Sequence, residues 1–139
     1  MNRSGMLILM LFLVAGSTEA MFVRLSESEL LEQSELIVVG ELIGRSSVNA
    51  GEGRAPLVLG VIRVEETLKG GSGVSVAFLA LPGGGLAAST DLQYRDGQQG
   101  LWYLRLRREG EAGIYAADHP QRFVPMAEAA AQIEALKPR

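Results

Sequence analysis

The sequence predicts a mainly β domain: a small barrel or sandwich of five or six short strands with a helix at each end. Three observations predict it. Leu57 to Gly70 begins as an apolar run and ends in period-2 alternation closed by a glycine turn. That is the pattern of a long strand, buried on both faces at its start and half-exposed at its end. Further short apolar segments follow, separated by Gly-, Pro- and Asp-containing turns. Strands this short must bury one face and leave no bare edge, which favours a closed or two-layered sheet.

The chain has 139 residues, enough for one core and short for two. Its 47% hydrophobic and 21% charged residues are those of a globular protein rather than a disordered one. A net charge of −3 supplies no basic footprint for nucleic acid or an anionic membrane. The absence of cysteine excludes disulfides, thiolate catalysis and Cys-based zinc sites.

Arg3 and the α-amino group precede the ten-residue apolar run Met6 to Ala15, and small residues follow at Gly16, Ser17, Thr18 and Ala20. The run has the length of a signal-peptide core and is too short to span a bilayer. Residues 1–20 are therefore expected to be a signal peptide cleaved after Ala20, with Ala15-Gly16-Ser17 as a second cleavage candidate. Residues 21–139 are expected to form a single secreted or periplasmic domain with no stable membrane anchor.

Within that domain, Ser26 followed by Glu29 makes a capping box for a short helix over Leu25 to Gln33, with Leu25 and Leu30 as its hydrophobic staple. Ser34 to Gly44 reads as the first strand and the polar, Gly-rich residues 45–55 as a loop. The strand from Leu57 comes next. Val74 to Leu81 is the third strand, with Val74, Val76 and Phe78 on one face. Pro82 to Gln99 is a long connection. Gly100 to Arg107 is the fourth strand, with Trp102, Leu104 and Leu106 expected inward and Tyr103, Arg105 and Arg107 outward. Two short pieces, Gly113 to Ala117 and Arg122 to Val124, flank the turn Asp118-His119-Pro120. Residues 126–136 form a helix that places Met126, Ala129, Ala130, Ile133 and Leu136 on one face, between Pro125 and Pro138. Trp102, Phe78, Phe123 and Ile62 are the expected core.

Taken in order, the signal peptide, Leu30-Leu31-x-x-Ser34-x-Leu36-Ile37-Val38-Val39-Gly40, Val64-x-x-x-Leu68-Lys69-Gly70, Pro82-Gly83-Gly84, Gly97-Gln98-x-x-Leu101-Trp102-Tyr103-Leu104 and Arg122-Phe123-Val124 carry a likeness. The chain resembles bacterial secreted domains related to the tissue inhibitors of metalloproteinases and to netrin-like modules, over about residues 25 to 124. The resemblance implies a five-stranded OB-like barrel. It does not carry over zinc chelation by an N-terminal cysteine, since this chain has none. Nor does fold analogy by itself supply an activity.

The residues that invite chemistry have plainer readings. His119 beside Asp118 falls short of the three or four convergent ligands a metal needs, and Asp-x-Pro is turn chemistry. Ser72 and Ser89 lack a nucleophile elbow. Pro82-Gly83-Gly84-Gly85 lacks the Lys-Ser/Thr of a phosphate loop. Glu65 and Glu66, with Glu41 on the neighbouring strand, invite an acid–base reading. Side chains at 65 and 66 point to opposite faces of a strand, so they cannot form a dyad with each other and read as a solvated strand end. Arg105, Arg107 and Arg108 with Tyr103 resemble a single-strand-binding face, but in an acidic exported chain they read as a charged strand face. The expectation is therefore no catalytic, cofactor or metal residues and no cofactor. The expected role is a non-catalytic exported module that binds another protein. The alternative is a loop-mediated inhibitor of an extracellular hydrolase, with the loops Arg45 to Ala55 and Pro82 to Gln99 as wedges.

Overall fold

The computed structural model describes residues 23–49, 51–53, 56–71, 73–81 and 93–137. The expected signal peptide, Ser72, Ser89 and Pro82-Gly83-Gly84-Gly85 lie outside the described residues. Six strands form one sheet: β1 (Leu36–Val48), β2 (Leu57–Lys69), β3 (Val76–Leu81), β4 (Gln99–Leu106), β5 (Ile114–Ala116) and β6 (Phe123–Pro125). Two helices accompany them, α1 (Glu27–Gln33) and α2 (Met126–Leu136), with a 3-10 turn at Pro120–Arg122. The strand order is β1-β2-β3-β5-β4-β6, and β1 also pairs with β4, so five strands close into a ring with β6 beside it. Among the described residues only the β3–β5 pairing is parallel.

A ring this small needs strongly coiled strands. The β1–β2 ladder supplies them with three register shifts, one of which leaves Ile43 without a partner between Leu42↔Ile62 and Gly44↔Val61. Gly40 and Gly100 face each other across the seam where β1 pairs with β4. Their missing side chains let the next strands out, β2 beside Gly40 and β6 beside Gly100, come close. A Cβ on Gly40 would lie 2.5 Å from the Arg63 carbonyl oxygen, and one on Gly100 would lie 2.1 Å from that of Val124. Trp102 Nε1 donates to the Gly40 carbonyl at 3.0 Å, so the largest core side chain has its polar atom satisfied at the same seam.

The core has two compartments. Leu36, Val38, Leu42, Ile62, Leu79, Trp102 and Leu104 fill the ring. Outside it, Ile37 and Val39 of β1 and Leu101 and Tyr103 of β4 meet Leu30 of α1 and Ala129 and Ile133 of α2. The first half of β1, Leu36 to Leu42, and most of β4 are therefore buried on both faces, as their nearly continuous apolar runs require. The Ser26 capping box is present in full: Ser26 Oγ accepts Glu29 N–H at 3.1 Å, and Glu29 accepts Ser26 N–H at 3.0 Å.

Four expectations are corrected. The loop assigned to residues 45–55 is strand as far as Val48, because Arg45 to Val48 pair with Leu57 to Gly60 and their polar side chains stay in solvent. That shortens the first of the two candidate wedges. Phe78 and Val76 face solvent at 42% exposure, and the inward residues of β3 are Ala77, Leu79 and Leu81. Tyr103 points out of the ring as expected but lies buried beneath the helices. On α2, Ala129 and Ile133 are buried, whereas Met126 and Ala130 are exposed.

Candidate functional site

Two parts of the surface hold residues that the sequence singles out. The first is the chain returning along β4. It pairs with β4 twice, through β5 (Arg105↔Ala116) and through β6 (Trp102↔Phe123). Between those pairs, residues 103 and 104 of β4 face residues 117–122, so the returning chain bulges outward. Asp118, His119, Gln121 and Arg122 all sit on this bulge.

Arg122 is the buried charge among the described residues, at 2% exposure. Its Nη1 donates to Ser34 Oγ and to the Tyr103 carbonyl, both at 3.2 Å, and its Nη2 donates to Gln33 Oε1 at 3.3 Å. Nε has no hydrogen bond but lies 3.7 Å from Asp118 Oδ1. Burial holds the guanidinium below its ordinary value, partly offset by the Asp118 carboxylate. Asp118 receives two hydrogen bonds from Arg105, through Nε at 2.9 Å and through Nη2. This pairing holds its carboxyl below the usual range, and partial burial opposes the shift. Nothing in the sequence around Arg122 marks it as buried, since a lone arginine before Phe-Val reads as a surface residue.

Asp118-His119-Pro120 is the turn expected of it. His119 Nδ1 accepts the Gln121 N–H at 3.1 Å and caps the 3-10 turn. Among the described residues no group of three His, Asp or Glu side chains could hold a metal ion. The arginine stripe does not form a free basic face, because Arg105 pairs with Asp118 and Arg107 with Glu111 at 3.0 Å. The glutamates are separated too: Glu41 pairs with Arg63 at 2.7 Å, Glu65 accepts from Gln99, and Glu66 lines a groove beneath α2.

The second part is the outer wall of the ring beyond the helices. One cross-strand row runs Gly44, Val61, Phe78, Ile114 through β1, β2, β3 and β5. Val76 lies two residues from Phe78 on the same face, and the unpaired Ile43 adds a 48% exposed side chain at the β1 end. The Glu41–Arg63 ion pair borders this apolar stripe, with Arg63 opposite Val76. Sequence reasoning missed the stripe because both faces of β3 are apolar, Val76-Phe78 on one and Ala77-Leu79-Leu81 on the other. Alternation then cannot say which face turns inward. No protein-family model matches the chain, and no curated protein sequence matches it.

Proposed function

We propose that the chain is an exported, non-catalytic protein-interaction module built on an OB-type, netrin-like barrel, and that its docking face is the apolar outer wall of β2 and β3. The strand order with β1 returning to β4, and the parallel β3–β5 pair, support the barrel reading, since this is how a five-stranded Greek-key barrel closes. The single observation that carries the interaction reading is the apolar stripe of exposed Ile43, Val76 and Phe78, continued by the half-buried Val61 and Ile114 in the same row as Phe78. Aromatic and aliphatic side chains contiguous on one open face, with a charged pair at their edge, have the make-up of the centre and rim of a protein interface. The ion pairs and hydrogen bonds that occupy Asp118, His119, Arg105 and the glutamates support a non-catalytic role. The apolar segment before Ala20 supports export.

The test is affinity capture from the exported fraction with the wild-type chain and with a Val76→Asp/Phe78→Asp variant. A stoichiometric partner held by the wild type and lost from a variant of unchanged melting midpoint is the expected result. Capture indifferent to both substitutions would overturn the assignment of the face. Turnover of ester, peptide or glycoside substrates, lost with His119→Ala, would overturn the non-catalytic reading.

A further inference from the structure

The bulge at residues 117–122 sends its side chains to the extended arm that precedes α1. Because His119 Nδ1 accepts the Gln121 N–H, Nε2 carries the ring proton and donates it to the Val23 carbonyl at 2.7 Å. The Gln121 carboxamide takes Leu25 on both of its backbone groups. Oε1 accepts the Leu25 N–H at 2.7 Å, and Nε2 donates to the Leu25 carbonyl at 3.0 Å. Val23 and Leu25 are alternate residues, and the groups engaged are those that a neighbouring β-strand would pair. Two side chains here do the work of a strand. Among the described residues, the arm makes no backbone-to-backbone hydrogen bond of its own.

The arm's own side chains contribute unequally. Val23 is 82% exposed, so that residue is held by its main chain alone. Leu25 packs against the helix-side core compartment. Clefts of about 410 and 390 Å³ border Arg24, one lined by Ser26, Leu30, Tyr103 and Gln132, the other by His119, Pro120 and Gln121. They leave room for side chains the arm does not supply.

We propose that this clasp is a binding site for an extended peptide segment of another polypeptide, filled here by the chain's own residues Val23–Leu25. It reads the main chain at the first and third residues of a three-residue stretch, accepts any side chain at the first two, and requires an apolar one at the third. A short tether holds the arm at an effective concentration on the order of millimolar, which an incoming peptide must outcompete. The site is separate from the outer wall and does not depend on that face binding anything.

The probe is a fluorescein-labelled heptapeptide with the sequence of residues 21–27, added to the full chain. Leu25→Asp removes the apolar anchor of the resident arm, so the peptide should bind this variant at least about tenfold more tightly than the unchanged chain. Adding Gln121→Ala should abolish the gain. N-methylation of the peptide's leucine nitrogen, which deletes the N–H that Gln121 accepts, should weaken binding about tenfold. Should Leu25→Asp lose its cooperative melt, a spin label at Val23→Cys, the sole thiol of the chain, answers the same question. Excess peptide should raise the label's mobility. Absence of binding to the folded Leu25→Asp chain, indifference to N-methylation or to Gln121→Ala, or a label that peptide never mobilises would each overturn the proposal.

Discussion

Arg122 and Tyr94 each commit polar atoms to buried hydrogen bonds, and each gives a separate prediction. Truncating Arg122 removes at once the donor to Ser34 Oγ, to the Tyr103 carbonyl and to Gln33 Oε1, and opens a void between β4, α1 and the bulge. Arg122→Ala should cost about 3 kcal/mol in denaturant unfolding. Arg122→Lys should not rescue it, because an ammonium lacks the fork that reaches three acceptors. Tyr94 donates its hydroxyl to the Ala117 carbonyl at 2.7 Å and stacks edge-on to Trp102 at 5.2 Å. Burial, reinforced by Asp118, pushes its hydroxyl from 10.0 up to about 12. The unfolded chain therefore releases this proton first as pH rises. Stability is whole below about pH 10 and is lost by up to about 2 kcal/mol between pH 10 and 12. Tyr94→Phe should flatten that alkaline loss while lowering stability near neutrality by about 1 kcal/mol, measured as unfolding midpoints across pH.

At the scale of elements, α1 shows how local chemistry and packing divide the work. Seven residues are too few for a helix to persist alone. The capping box sets where α1 starts, and Leu30 against Ile37, Tyr103 and Ile133 sets that it persists. Ser26→Ala should cost about 1 kcal/mol, read from the melting midpoint. Ile62→Ala, which empties a fully buried position in the ring, should cost about 2–4 kcal/mol. The substitution Phe78→Asp should move stability by less than about 0.5 kcal/mol, since its side chain is on the open wall. The capping box, the start of β2 and both ends of α2 were legible because each rests on short-range rules of caps, glycine turns and proline. The inward face of β3 and the burial of Tyr103 were not. The first depends on which face of β3 the closing ring turns inward and the second on the helices covering the outer face of β4, both decided by residues far away in sequence.

For the molecule as a whole, the proposed export is the reading most open to direct measurement. Chain recovered from the exported fraction should begin at Met21, checked by intact mass, and chain that begins at Met1 would remove the signal-peptide reading. The bulge that holds Arg122 and the clasp was legible only as a turn. Its register against β4 is a tertiary fact, set where β5 and β6 take two separate grips on one strand. The ring itself closes unevenly. Strand β1 meets β4 over six residue pairs, whereas β5 meets β3 over two and β4 over two. A fluctuation that frees β5 therefore bares one flank of β3, where Val76-Ala77-Phe78-Leu79-Ala80-Leu81 carries no charge and no proline. Such a flank is a template for cross-β stacking between molecules. The three-residue strand Ile114–Ala116 covers that flank, and substitutions that loosen it are expected to make solubility, before folding, the first property to fail.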